Sequence, residues 1–121
     1  VAMHGRLSTS GSSLLDEHGS PVQLRGMSFF WECWMGKYWN GDVVAWLARD
    51  WNASLVRLAM GVDPQWGYLD RPGEQKATLE AVVNAAIEAG IYAIIDWHTD
   101  KAPEHADSAS AFFDEMARLY G

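Results

Sequence analysis

A short apolar strand followed by an amphipathic helix recurs three times along this chain, and that alternation limits its possible folds more than any other feature. Residues 22–28, 55–60 and 91–96 form the apolar runs. The middle run is almost wholly apolar, as expected of a strand covered on both faces. After the first run, Val43, Trp46, Leu47 and Trp51 share one face of a helix predicted from about residue 43 to 50, with Asp42 as its N-cap. The second helix has the clearest pattern. Leu79, Val82, Val83, Ala86 and Ile87 form its apolar stripe, Glu80, Asn84 and Glu88 face water, and Gly90 stands where a helix end requires positive φ. Ala109, Phe112, Phe113, Met116, Ala117 and Tyr120 repeat the stripe in a last helix. Strands alternating with helices in this way indicate parallel strands joined by right-handed crossovers.

Ahead of the first unit, residues 5–9 and 14–15 flank a Gly/Ser turn, and Asp16-Glu17-His18-Gly19 follows them. This reads as a hairpin, with Pro21 opening the next strand where a missing N–H costs least. The first loop holds no G-x-G-x-x-G, and no G-x-x-x-x-G-K-[ST] occurs in the chain, so a nucleotide-binding doubly wound sheet is unsupported. The expected fold class is therefore α/β, a (β/α)8 TIM barrel. Residues 1–20 would supply a hairpin and residues 21–121 the first three β/α units. A whole barrel needs roughly 250 residues, and the 121 here are fewer than half of that. Three strands would leave two open sheet edges, which await either the rest of the barrel or self-association.

Composition removes several function classes. Nine Lys and Arg against sixteen Asp and Glu give a net charge of −7, which opposes nucleic acid as a partner. No apolar run approaches the ~18 residues of a membrane span. The single cysteine, Cys33, cannot close a disulfide within the chain. His98 and His105 lie across a loop with no compact metal spacing, so neither a metal nor a cofactor is expected. No basic-then-apolar leader opens the sequence.

The remaining unusual feature is tryptophan. Of seven, Trp31, Trp34 and Trp39 follow the first core strand, Trp66 the second and Trp97 the third. In β/α barrels the loops after the strands carry the chemistry. A flat indole can hold the apolar face of a pyranose while polar neighbours bond its hydroxyls. For Trp34 and Trp39, in a polar Gly-containing loop, sugar contact is the favoured reading. For Trp31 and Trp97, beside strand ends, loop packing and sugar contact stand equal. Arg57 sits within an apolar strand, where burial is costly unless a carboxylate receives it. That carboxylate could belong to a catalytic site or to a core Asp. His98 closes Asp96-Trp97-His98 and could donate to a catalytic carboxylate or to a sugar hydroxyl. Asp96, on the same strand face, could pair with Arg57 or orient the imidazole.

These residues bring a family into view. Val1-x-x-His4-Gly5-x-Leu7, Gln23-Leu24-Arg25-Gly26-Met27-Ser28, Val56-Arg57-Leu58-Ala59-Met60-Gly61, Gly67-Tyr68-Leu69 and Tyr92-Ala93-Ile94-Ile95-Asp96-Trp97-His98 resemble the start of bacterial family 5 glycoside hydrolases, as does Phe112-Phe113-Asp114-Glu115-Met116-Ala117. The resemblance is strongest to the secreted endo-β-1,4-glucanases, and it spans essentially the whole chain. It implies retaining hydrolysis of internal β-1,4 bonds in cellulose or related β-glucans. One Glu protonates the leaving oxygen and another, about 5 Å away, attacks the anomeric carbon. It further implies that Arg57 keeps the nucleophile ionised, that His98 hydrogen-bonds near it, and that Trp34 is a sugar platform. In that family the two glutamates end strands four and seven. This chain reaches Tyr120-Gly121 before a fourth strand would begin, so both are expected outside it and the 121 residues alone are expected to be inactive. The same resemblance implies a secreted, extracellular protein with its leader removed. A non-catalytic carbohydrate-binding piece and a half-barrel that awaits a partner are the competing readings.

Overall fold

The computed structural model describes Val1 and residues 3–121. An antiparallel hairpin of β1 (Ser8–Ser10) and β2 (Ser13–Leu15) precedes a parallel sheet of β3 (Gly26–Phe29), β4 (Leu55–Gly61) and β5 (Tyr92–His98), in the order β3-β4-β5. Between the parallel strands run α1 (Glu32–Met35), α2 (Gly41–Asp50) and α3 (Pro72–Glu88), and α4 (Ala106–Tyr120) follows β5. No helix among the described residues is long and apolar enough to cross a membrane.

Several boundaries differ from the sequence reading, the last parallel strand running to His98 instead of Asp96, and two of the differences have a clear local reason. The first parallel strand starts at Gly26 rather than Val22, because the Val22 N–H still donates to Leu14 O and prolongs the hairpin. Helix α2 begins two residues before the expected start and is capped by Asn40, not Asp42. The Asn40 side chain accepts the Val43 N–H at 3.1 Å, which leaves Asp42 in the first turn where a carboxylate favours the helix dipole. At the far end of α3, Gly90 takes φ +70°, as the sequence anticipated.

The core lies between the sheet and its helices. Val56, Leu58 and Met60 of β4 pack with Val44 and Leu47 of α2, Leu79, Val82 and Ala86 of α3, and Phe112 and Met116 of α4. β4 is buried on its helix side and, at Ala59 and Gly61, on its other face too, while Arg57 is partly exposed. The alternate residues of β4, with those of β5, form a second face on which Ile94 is 48 % exposed. The segment leading into the hairpin is tied to the opposite end of β5 from His98: the Tyr92 hydroxyl donates to Gly5 O at 2.7 Å and the Val1 ammonium donates to Gly90 O. The C-terminal ends of the strands are thus left to the loops.

Since Asn40 satisfies an orphan N–H of α2, Asn40→Ala is expected to lower the unfolding free energy by about 1 kcal/mol and Asn40→Ser to recover most of it, as read by urea denaturation.

Candidate active site

Strand alternation sends Ser28, Arg57, Asp96 and His98 to the open face, and the parallel register sets them side by side. Ser28 is opposite Arg57, Ala59 opposite Asp96, and Gly61 opposite His98. Arg57 Nη1 donates to Ser28 Oγ at 2.8 Å and Nη2 to Asp96 Oδ2 at 2.5 Å. His98 Nδ1 lies 2.8 Å from the same Asp96 oxygen and 3.1 Å from Arg57 Nη2. The shorter, charge-assisted contact favours the tautomer in which Nδ1–H donates to Asp96, which leaves Nε2 as the basic atom of the ring. Arg57 and His98 are each 37 % exposed and Asp96 23 %, so water screens the cluster and it orients its members more than it stabilises the fold. Asp96 therefore fills both roles open to it in the sequence, as partner of the arginine and as orienter of the histidine. Ser28 was not singled out, although its place in step with Arg57 across the strands was available as a signal.

Beside the cluster stands an aromatic group. Trp31 meets His98 edge to face at 5.4 Å and stacks on Trp34 at 5.3 Å with planes 27° apart. Trp34, 56 % exposed, is flanked by Phe30 at 5.9 Å and by Trp66 at 6.4 Å. Trp66 is held from behind: Gln75, buried on α3, donates from Nε2 to Trp66 O at 3.0 Å. Just before it, Gln65 adopts φ +87° while its N–H donates to Asp70 Oδ2.

Two of the four tryptophans expected to bind substrate are elsewhere. Trp39 is buried at 5 % exposure, with its Nε1 donating to Phe30 O at 2.7 Å and its ring edge-on to Phe29. The short 3-10 turn Gly36–Tyr38 folds it back into the core instead of presenting it. Trp97 lies within β5, not in the following loop, and alternation turns it away from Asp96 and His98. It packs against Tyr68 at 5.2 Å and Phe112 at 5.4 Å on the helix side. Neither indole reaches the open face. Trp31 and Trp34 do, and Trp66 and Phe30 extend their surface.

Glu32 was passed over entirely in the sequence. It is 5 % exposed, its Oε2 accepts the Gly61 N–H at 2.8 Å, and Oε1 is buried without a partner. Burial pushes its carboxyl above the ordinary range despite that hydrogen bond. Burial, and then the neighbouring Glu32 carboxylate, likewise raise the Cys33 thiol, which makes it a poor nucleophile at neutral pH. No group of three or more metal-binding side chains gathers among the described residues.

Comparison with known proteins identifies the family of this fold. The family model for cellulases of glycosyl hydrolase family 5 matches residues 15–121. Endoglucanase Z of Dickeya dadantii is 48 % identical over 99 residues, covering 79 % of this chain and 23 % of that protein. Endoglucanase N of Pectobacterium atrosepticum is 43 % identical over an alignment of 124 residues, covering 100 % of this chain and 28 % of the relative. A structure from Cytophaga hutchinsonii superposes with a TM-score of 0.95 at 49 % identity, over 99 % of this chain and 39 % of that one. The catalytic domain of a Thermobifida fusca endoglucanase superposes with a TM-score of 0.91 at 33 % identity, over 98 % of this chain and 40 % of that one. A variant of that domain has been solved in complex with cellotetraose. The chain thus spans about a quarter of the length of the curated relatives it matches. The hairpin and three β/α units correspond to the opening part of a (β/α)8 barrel.

Glu32 supplies a pH test. Its folded-state pKa is raised above the unfolded value, so its contribution is fully present below the unfolded pKa and is lost as pH rises through the folded one. Glu32→Gln does not titrate there. Its unfolding midpoint is expected to gain on the parent's as pH rises from about 4 to about 7, and a gap that stays constant or moves the other way contradicts this assignment.

Proposed function

Because the chain belongs to the cellulases of glycoside hydrolase family 5, we propose that it forms part of a secreted, extracellular endo-β-1,4-glucanase acting on cellulose or related β-glucans. A glucosyl ring rests on the Trp34–Trp31 surface while Arg57 and His98 line the polar side of the cleft. One observation carries this reading: the exposed indole stack ends 5.4 Å from His98, and His98 is joined to Arg57 through Asp96. Apolar ring faces and directional polar groups thereby adjoin, the combination that recognises a pyranose.

The bond is cleaved by a retaining mechanism with two glutamates, acid/base and nucleophile, about 5 Å apart. Neither Asp96 nor Glu32 suits those roles. Asp96 is engaged by Arg57 and His98, and Glu32 is buried against Gly61. The family resemblance implies that both working glutamates lie in chain beyond these 121 residues. Arg57 and His98 position them: a guanidinium beside a carboxylate keeps it ionised and nucleophilic. The rest of the barrel would meet this part at its free sheet edges. Beside β3 and α1, Met27, Phe30 and Met35 are exposed along an apolar cleft of about 480 Å³, which can receive side chains of an adjoining element.

Three measurements test the proposal. The 121-residue chain is expected to show no turnover of carboxymethylcellulose or of an aryl cellobioside; turnover at an ordinary glucanase rate overturns the placement of the glutamates. It is expected to bind cellotetraose by calorimetry, and Trp34→Ala to weaken that binding by about 1 kcal/mol, roughly fivefold in Kd. Adding a chain that bears strands four to eight is expected to restore hydrolysis, and Arg57→Ala in that mixture to reduce kcat by at least about tenfold.

A further inference from the structure

Three consecutive residues of the loop after β3 converge on one backbone position. Trp31, Glu32 and Cys33 all meet Gly61, the last residue of β4. Glu32 Oε2 accepts the Gly61 N–H at 2.8 Å. A Cβ on Gly61 would stand 3.1 Å from the Trp31 ring and 3.2 Å from Cys33 Sγ, so the bare α-carbon is what lets the indole lie against the strand. Gly61 is also the register partner of His98. The loop is therefore fastened to the same rung of the sheet that presents the imidazole.

That fastening is specific. α1 is a single turn whose N-cap residue, Trp31, makes no side-chain capping bond. Its neighbours Trp34, Met35 and Tyr38 are exposed, so burial of their side chains contributes little to holding it. Glu32 is the buried residue of that turn. Its carboxylate bonds a backbone N–H at the strand's end, and a charge-assisted bond in a dry site is directional and costly to break.

We propose that Glu32, through its hydrogen bond to Gly61, is the positioning residue of the aromatic platform, fixing Trp31 and Trp34 against His98 and so setting the affinity of the adjoining sugar subsite. The affinity clause rests on the function proposed above, whereas the geometric clause does not. Glu32 touches no sugar. It acts by removing freedom from the rings before binding, so that the ordering cost is met during folding and not on association.

Stacked indoles give a far-ultraviolet exciton couplet in circular dichroism, which reports ring geometry without any ligand. In the 121-residue chain, Trp31→Phe, which leaves the Trp34–Trp66 pair in place, identifies the part of the couplet that arises from Trp31 and Trp34. Glu32→Leu, similar in size but with no acceptor, is expected to abolish that part and to weaken cellotetraose binding about fivefold. Glu32→Gln, which retains a carbonyl acceptor for the Gly61 N–H, is expected to keep both near the parent values. A parent-like couplet in folded Glu32→Leu overturns the proposal, as does its loss in Glu32→Gln. If Glu32→Leu does not fold, Glu32→Ala, which also removes the acceptor, decides: a parent-like couplet there likewise overturns the proposal. A chain that binds no cellotetraose but shows the expected couplet series contradicts the carbohydrate function and leaves the positioning role supported.

Discussion

The parallel register of β4 on β5 is the constraint on which the candidate site depends. It sets Arg57 one step from Asp96 along the open face and aligns Gly61 with His98. Because side chains alternate strictly along a strand, a slip of one residue would carry Arg57 into the helix-facing core and Leu58 or Met60 to the open face. Burying an unpaired guanidinium is far more costly than the ion pair is favourable. The apolar side of β4 therefore enforces the register, and the polar side exploits it. Val56, Leu58 and Met60, all fully buried, do the enforcing.

Much of this was legible in the sequence, for identifiable reasons. An arginine inside Leu55-Val56-Arg57-Leu58-Ala59-Met60 needs a carboxylate, and Asp96 and His98 two residues apart must share a strand face. Those inferences use only short-range geometry, and the cluster realises them. For Trp97 packing and sugar contact stood equal although the same rule decides between them: it lies between Asp96 and His98 and so must point the other way. Treating it as the first loop residue, when β5 continues to His98, concealed that. The displaced N-cap of α2 has a similar origin, since Asn40 and Asp42 are both capping residues and only the observed bond to Val43 distinguishes them.

Trp39 and Glu32 were not legible, because their burial is decided by contacts distant in sequence or by the path of an irregular loop. A tryptophan in a polar loop has the composition of a binding residue. Only the turn that brings its Nε1 to Phe30 O makes it a core residue. A glutamate beside a tryptophan reads as solvated, and only the close approach of α1 to the end of β4 removes it from water. Local pattern therefore located the strands and their polar exceptions but did not sort the loop side chains into buried and presented.

That sorting gives the open face its character. Of the three tryptophans that follow β3, Trp31 is half-buried against His98 and Gly61, Trp34 is exposed on top of it, and Trp39 is beneath in the core. An exposed indole with nothing behind it would sample many rotamers and lose that freedom on binding. Backed by a second ring that is itself seated on the strand, Trp34 has less to lose. The site is thus layered, with a packed core, a strand end carrying polar groups, a half-buried ring and then an exposed one. Each layer limits the motion of the next. Since Trp97 anchors β5 to Phe112 from the side opposite His98, the packing that stabilises the sheet also sets where the imidazole stands. A change of volume in that core acts on the site through displacement of the strand, without touching any residue on the open face.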